Sequence, residues 1–285
     1  MGVQHVAIGI DVGGTGIKGA AIDLATGERI TSRHKVATPV GGVPADIARE
    51  VGAMTDAIRV EIADRVAAGD AKVAGVAGIA TAAEVAALPV GVTLPGVVRN
   101  GVMRTAANID LSWIGTDAHA LLAAAVAAPC TVVNDADAAG VAEVAYGEVS
   151  GLPGVTLVLT FGTGIGSALV ADGVLVPNFE LGHLELDGFT SIEHHTSAKV
   201  IEREGITLAE WAGRAARYVA YLEKVINPDR FVIGGSISKA SDEYLPFAGV
   251  AVPVSPARLR NNAGIIGAAR LAAEALDPDS ANSAP

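Results

Sequence analysis

Residues 8–23 read IGIDVGGTGIKGAAID, and three glycines within them, Gly14, Gly16 and Gly19, spell G-x-G-x-x-G. That spacing makes a dinucleotide loop when a strand precedes it and a long helix follows, so that the helix N-terminus meets a pyrophosphate. A strand is signalled by Ala7, Ile8, Ile10 and Val12. No helix is signalled: Ala20 to Leu24 lead into the turn Ala25-Thr26-Gly27-Glu28, and another strand-like run covers Arg29 to Val36. A P-loop fails too, because Lys18 stands between Ile17 and Gly19 rather than before Ser or Thr. The stretch predicts strand, glycine turn, strand, turn, strand. Its tip is Gly13-Gly14-Thr15-Gly16. Glycines there let backbone N–H groups come close to an anion, and Thr15 adds a hydroxyl. Asp11 ends the first strand, where a carboxylate suits a Mg²⁺ lying between it and a phosphate. Taken alone, the stretch reads equally well as a tight hairpin with no ligand.

The second half of the chain shifts that balance. Residues 155–170 read VTLVLTFGTGIGSALV, again an apolar strand, a glycine tip at Gly162-Thr163-Gly164, and a second apolar strand. The tetrapeptide Gly-Thr-Gly-Ile occurs at 14–17 and again at 162–165. A repeated hairpin predicts two related halves, each offering a glycine tip to a shared cleft.

The rest of the chain fits α/β halves. Ile47, Val51, Met54, Ile58, Ile62 and Val66 recur at three- and four-residue steps, which predicts a helix over 44–68. Residues 73–87 are ambiguous, and the role of 66–88 stays open. Strands are expected at 90–94, 130–133 and 230–233, and helices at 116–127, 136–146, 209–225 and 265–276. Residues 277–285 read as a disordered tail. The expected division is a smaller first domain, 1–133, with the C-terminal helix 263–277 packing back on it, and a larger second domain, 134–262.

A chain of 285 residues, 51% of them apolar, buries one large core or two medium ones. Twenty Lys and Arg against 31 Asp and Glu leave a net charge of −11, which argues against nucleic-acid or anionic-membrane binding. It leaves room for a polyanionic substrate in a local cationic groove, since the Debye length is about 8 Å at physiological salt. Cys130 is the single cysteine, so no intramolecular disulfide forms. The start of the chain lacks signal-peptide character, and Val6 stands where a myristoylation motif needs Ser or Thr. The longest apolar region, 73–98, is broken by Glu84, Pro89 and Pro95, so no spanning helix is expected. A soluble, cytoplasmic protein is expected.

Three further patches place polar groups at strand ends, where open α/β sheets bind ligands. The first is Asn134-Asp135-Ala-Asp137, directly after an apolar strand. One such residue suffices as a helix N-cap, and three ask for another role. The second is Glu180-Leu-Gly-His183-Leu-Glu185, which also reads as a polar turn with a satisfied histidine. The third is Gly234-Gly235-Ser236, a glycine pair open to a ring or a phosphate.

Taken in order, Asp11-Val-Gly-Gly-Thr15-Gly-Ile-Lys18, Asn134-Asp135, Gly162-Thr163-Gly164, Glu180-x-Gly-His183 and Gly234-Gly235 resemble the motifs of the ROK family of sugar kinases over almost the whole chain. Gly91-Val-Thr-Leu-Pro-Gly96, Thr105-Ala-Ala-Asn-Ile-Asp110, Ser112-Trp113 and Leu159 to Ser167 are similar to its actinobacterial polyphosphate-using glucokinases and glucomannokinases. The resemblance implies the two-domain actin-like ATPase (hexokinase-like) fold around a cleft. It implies phosphoryl transfer to the 6-hydroxyl of glucose, with mannose as an alternative, from inorganic polyphosphate and/or ATP. Asp135 is then the general base. Gly96, Asn134, Asp135, Glu180, His183 and Glu193 hold the sugar. Asp11, Gly13, Gly14, Thr15, Lys18, Gly162, Thr163, Gly164, Gly234 and Gly235 face the donor, with Mg²⁺ reached indirectly from Asp11. A homodimer is also implied.

The chain departs from the family where many members carry a zinc site built on three cysteines. With Cys130 alone that site is not expected, and residues 187–197 replace it. His183, His194 and His195 lack acidic or cysteine ligands at zinc-like spacing. Ser236 replaces a usual third glycine. A family repressor would need a helix-turn-helix before the first strand, and with seven residues before Ile8 a repressor is not expected.

Overall fold

The computed structural model describes residues 5–73, 75–76 and 79–276. The tail expected over 277–285 lies outside the described residues, as do parts of the 66–88 segment. The chain forms two compact units, one of residues 1–142 with 262–285, the other of residues 143–261.

The first unit begins with β1 (Val6–Val12), β2 (Gly16–Asp23) and β3 (His34–Ala37). Then come α1 (Pro44–Ala67), the short α2 (Ala82–Ala86) and β4 (Val90–Leu94). A two-stranded ribbon, β5 (Val98–Arg99) with β6 (Val102–Met103), precedes α3 (Ala118–Val126) and β7 (Cys130–Asn134). Helix α4 (Asp135–Tyr146) starts directly at the end of β7 and runs into the second unit. The sheet order is β3-β2-β1-β4-β7. Strands β1, β2 and β3 form an antiparallel meander, and β4 and β7 add in parallel.

The second unit repeats the plan with β8 (Val155–Phe161), β9 (Ile165–Ala171) and β10 (Val174–Val176). After them come α5 (Glu193–Thr196), α6 (Lys199–Glu204), α7 (Leu208–Ile226), β11 (Arg230–Gly235) and β12 (Val254–Pro256). Its order, β10-β9-β8-β11-β12, has the same sequence of antiparallel and parallel pairings. The repeated hairpin is thus the opening of a repeated five-stranded sheet.

Helix α8 (Ala263–Glu274) returns to the first unit. It packs so close that a Cβ on Gly9 would collide with the Ile265 carbonyl, one on Gly91 with the Ala268 carbonyl, and one on Gly267 with the Ala138 carbonyl. Bare glycines on both sides of the contact let a helix backbone lie directly on a sheet and on a second helix. The Gly267–Ala138 contact ties the first turns of α4 to the first unit. The division therefore falls after Ala142 rather than after residue 133, and the first unit, not the second, is the larger.

Local differences from the sequence expectation have local causes. The run expected over 29–36 is a strand only from His34, with an isolated bridge between Ile22 and Arg29. Ser32 leaves the ladder because its N–H and hydroxyl donate to Glu61 on α1, at 2.8 and 2.7 Å. That carboxylate also takes bonds from His34 and Arg65, and its pKa is lowered to about 2 against the opposing effect of burial. Within 73–87, Thr81 and Glu84 close a capping box that starts α2. Among the described residues no helix is long and apolar enough to cross a membrane.

Candidate functional site

In the first unit the hairpin tip spans residues 13–16, between the paired residues Val12 and Ile17. It is closed by the Gly13 N–H donating to the Gly16 carbonyl at 3.0 Å. The Thr38 hydroxyl donates to the Gly13 carbonyl at 2.5 Å. Gly14 lies against Asn108: an added Cβ would come within 2.5 Å of its carbonyl oxygen. Thr15 is exposed. The tip is therefore held from both flanks.

Asp11 is paired in register with Lys18 on β2 and with Thr93 on β4. The buried Thr93 hydroxyl donates to Asp11 Oδ1 at 2.9 Å and accepts the Val12 N–H at 3.3 Å. Lys18 Nζ stands 3.5 Å from Asp11 Oδ2. A Cβ on Gly264, in the first turn of α8, would lie 3.0 Å from the Asp11 carboxyl. One carboxylate oxygen is thus fixed by a hydroxyl, and the other faces a cation.

The β7–α4 junction divides its polar residues between two tasks. Asn134 Oδ1 accepts the N–H groups of Ala136 at 2.8 Å and Asp137 at 3.1 Å, so Asn134 is the N-cap of α4. Its amide donates to the Gly96 carbonyl at 3.1 Å. Gly96 has φ +154°, and a Cβ there would collide with the Thr105 carbonyl, so only glycine fits this wall. Asp135 is exposed at the start of α4, with one oxygen 2.9 Å from the Ala136 N–H.

In the second unit the tip is Gly162-Thr163-Gly164, one residue shorter, between the paired Phe161 and Ile165. The Gly162 N–H donates to the Gly164 carbonyl at 3.0 Å, and the Lys199 N–H to the Gly162 carbonyl at 3.1 Å. Glu193 at the start of α5 reaches this tip. Its Oε2 accepts the Ile165 N–H at 3.0 Å and fills the space that a Cβ on Gly164 would occupy. His183 lies between two carboxylates, with Nε2 3.7 Å from Glu193 and Nδ1 3.9 Å from Glu180. Ser167 on β9 straps the Glu180 segment down, donating to the Phe179 carbonyl at 2.6 Å and accepting the Leu181 N–H at 3.0 Å. Burial pushes the Glu180 carboxyl above its ordinary pKa; His183 opposes the shift and Glu193 adds to it.

Gly234 and Gly235 answer first to packing. Gly235 has φ +85°, and a Cβ there would meet the Phe161 backbone of β8. One on Gly234 would sit 3.3 Å from Thr160 and Ala257. His195 stacks on Phe189 at 4.0 Å, and its Nδ1 faces Arg214 at 3.3 Å. Among the described residues no three His, Cys, Asp or Glu side chains are grouped as metal ligands would be.

The first unit therefore brings together Asp11, Gly13, Gly14, Thr15 and Lys18, and separately Gly96, Asn134 and Asp135. The second brings Gly162, Thr163 and Gly164 together with Glu180, His183 and Glu193. Sequence reasoning missed Thr93, Thr38 and Gly264. Thr93 had a signal, as the polar residue in the otherwise apolar strand VGVTL.

The ROK family model matches residues 7–198. The polyphosphate glucokinase of Mycobacterium tuberculosis is 42% identical over 267 residues, 93% of this chain and 91% of that protein. The crystal structure of inorganic polyphosphate/ATP-glucomannokinase from Arthrobacter sp. strain KM is 45% identical, with TM-score 0.78, over 95% of this chain and 99% of that one. The ROK hexokinase of Thermus thermophilus is 25% identical, with TM-score 0.69, over 96% and 99%.

Proposed function

Because the chain belongs to the ROK family of sugar kinases, we propose that it is a glucokinase taking the terminal phosphoryl group of inorganic polyphosphate, and more weakly that of ATP, to the 6-hydroxyl of glucose. The observation that carries this reading is the division of work at the β7–α4 junction. Asn134 caps the helix and holds Gly96, and Asp135 stands exposed next to it at the first position of α4.

Asp135 takes the proton of the sugar 6-hydroxyl as that oxygen bonds to the terminal phosphorus. The bridging P–O bond breaks and the donor leaves one phosphate shorter. Asn134, Glu180, His183 and Glu193 hold the sugar hydroxyls, with Gly96 as a wall. Glu180 and Glu193 accept hydroxyl protons when ionised, and His183 and the Asn134 amide donate. The two tips, with Lys18, hold the donor. Mg²⁺ fits Asp11: magnesium keeps waters and takes one or two carboxylates plus substrate phosphates, and Asp11 offers one partly exposed carboxylate whose orientation Thr93 fixes. Asp11 would hold the ion, which would supply neutralisation of phosphate charge. Phosphoryl transfer asks mainly for such positioning and neutralisation. A cytoplasmic homodimer belongs to the same reading.

A coupled assay with polyphosphate or ATP, on glucose and on mannose, tests the reaction. Glucose 6-phosphate formed from polyphosphate is expected, and use of ATP alone would leave an ATP-dependent hexokinase. Asp135→Asn keeps the shape of the side chain and removes the proton acceptor. Turnover is expected to fall by about two to four orders of magnitude with glucose binding retained. Turnover within a few-fold of wild type would remove Asp135 from the role of base.

A further inference from the structure

The donor reading leaves open where a long polyanion lies beyond its reacting end, and the register of the first sheet bears on this. Thr93, Asp11, Lys18 and Lys35 are consecutive register partners across β4, β1, β2 and β3. Partners directly opposite each other in a sheet project from the same face, and neighbouring strands lie about 4.8 Å apart. Two lysines therefore step outward from Asp11 toward the β3 edge, over roughly 10 Å. Lys35 leans back along this face, with its Cε 3.7 Å from where a Cβ on Gly16 would stand. Its neighbour His34 turns to the opposite face, where it meets Glu61 of α1 at 2.8 Å.

The surroundings are cationic too. Arg33 precedes β3, is exposed, and reaches Asn262 at 3.4 Å. Asn262 opens the twelve-residue α8 without a side-chain cap, and the first turn of that helix meets Asp11 at Gly264. A helix N-terminus carries partial positive charge and orphan N–H groups. Among the described residues neither Lys35 nor Arg33 is held in an ion pair. A cavity of about 470 Å³ also opens beside Gly14, but the charged residue lining it is Asp110, which disfavours a polyanion there.

We propose that this face is a subsite for the distal part of inorganic polyphosphate: the chain leaves the glycine tip at Asp11, crosses β2 and β3 over Lys18 and Lys35, and ends near Arg33. The subsite rests on the donor reading above. Lys35 is a binding residue here, remote from the transferred phosphoryl group.

The test titrates the full chain with long-chain inorganic polyphosphate across a salt series, without glucose. Wild type is compared with Lys35→Ala, Lys35→Arg and, as a charge control, Arg49→Ala on the exposed side of α1. Lys35→Ala is expected to weaken binding about 5- to 20-fold at low salt. By analogy with nucleic-acid backbones, it should also lower the slope of log Kd on log salt by about one. Lys35→Arg should restore most of both. Unchanged affinity and slope in Lys35→Ala, with the wild type still phosphorylating glucose from polyphosphate, would overturn the subsite and leave the function standing. So would equal weakening by Arg49→Ala, which would show long-range charge alone. A wild type that makes no glucose 6-phosphate from polyphosphate would instead overturn the donor reading itself.

Discussion

The two hairpin tips share the tetrapeptide Gly-Thr-Gly-Ile, and each opens a five-stranded sheet of the same order. Their surroundings differ in charge. At the first tip a carboxylate on the strand, Asp11, is fixed by Thr93 and faced by Lys18, with Lys35 one strand further out. At the second, Glu193 arrives from a different element and lies against Gly164, with His183 and Glu180 beside it. The strand leading to the second tip ends in Phe161, packed edge-on against Trp211 at 5.4 Å and Tyr218 at 6.3 Å. The strand leading to the first ends in Val12, an aliphatic member of the first unit's core. A glycine tip sets how closely a ligand can approach the backbone. The groups around it decide what else is held there: cations at the first tip favour more of a polyanion, and a histidine among carboxylates at the second favours a polyol beside the donor.

The comparison breaks first at Glu193. If its carboxylate serves the sugar, Glu193→Gln keeps the shape and the bond from the Ile165 N–H but loses the charge-assisted bonds to a hydroxyl. Such bonds are worth about 1.5–3 kcal/mol, or roughly 10- to 100-fold in affinity. Glucose affinity by calorimetry is expected to fall by that factor while the KM for polyphosphate stays within about two-fold. A loss of equal size on the donor side, with glucose affinity kept, would assign Glu193 to the donor at the second tip rather than to the sugar.

Thr93 tests the first tip. Thr93→Val is nearly isosteric, and it leaves Asp11 Oδ1 and the Val12 N–H without their hydroxyl partner. Turnover is expected to fall about 10-fold, with more Mg²⁺ needed for half-maximal rate and glucose affinity unchanged. Thr93→Ser should recover most of the rate. If Ser does no better than Val, Thr93 matters only through packing.

Much of this was legible in the sequence because it rests on short-range pattern. Glycine clusters between alternating apolar runs gave both hairpins, and the repeated tetrapeptide gave the repeated plan. Less legible were features made by register and by contacts distant along the chain. Lys35 becomes a neighbour of Lys18 only once β3 is paired, and the broken start of β3 depends on Glu61, 29 residues beyond Ser32. The close approach of α8 explains Gly9, Gly91 and Gly267, which no local turn required. At the β7–α4 junction the sequence offered three polar residues for one cap, and only the hydrogen bonds assign that cap to Asn134. Gly234-Gly235 read as an opening for a ligand, whereas the backbone of β8 is reason enough for Gly235.

The smallest expected effect is a pH dependence that separates sugar binding from donor binding by titration. Burial raises the Glu180 carboxyl pKa, so the group takes up a proton at a higher pH than an ordinary glutamate. Ionised Glu180 accepts a sugar hydroxyl, and the neutral acid has lost part of that capacity. Glucose affinity should therefore fall a few-fold as pH drops through the raised pKa, starting above the usual carboxylate range. Stability runs the other way for this group. A carboxyl whose folded pKa exceeds its unfolded value contributes stability that is fully present below the unfolded pKa and is lost as pH rises through the folded one. Glu180→Gln removes the titration and leaves a neutral side chain at every pH. In that variant glucose affinity should be weak and nearly flat with pH, and its Tm should exceed that of the wild type at neutral pH and converge with it on the acid side. Tm and glucose Kd measured together over the same pH series give two opposite slopes from one residue. A wild-type affinity that stays flat until the ordinary carboxylate range, or an acid loss that persists in Glu180→Gln, would show that Glu180 is not the group that distinguishes the sugar side from the donor side.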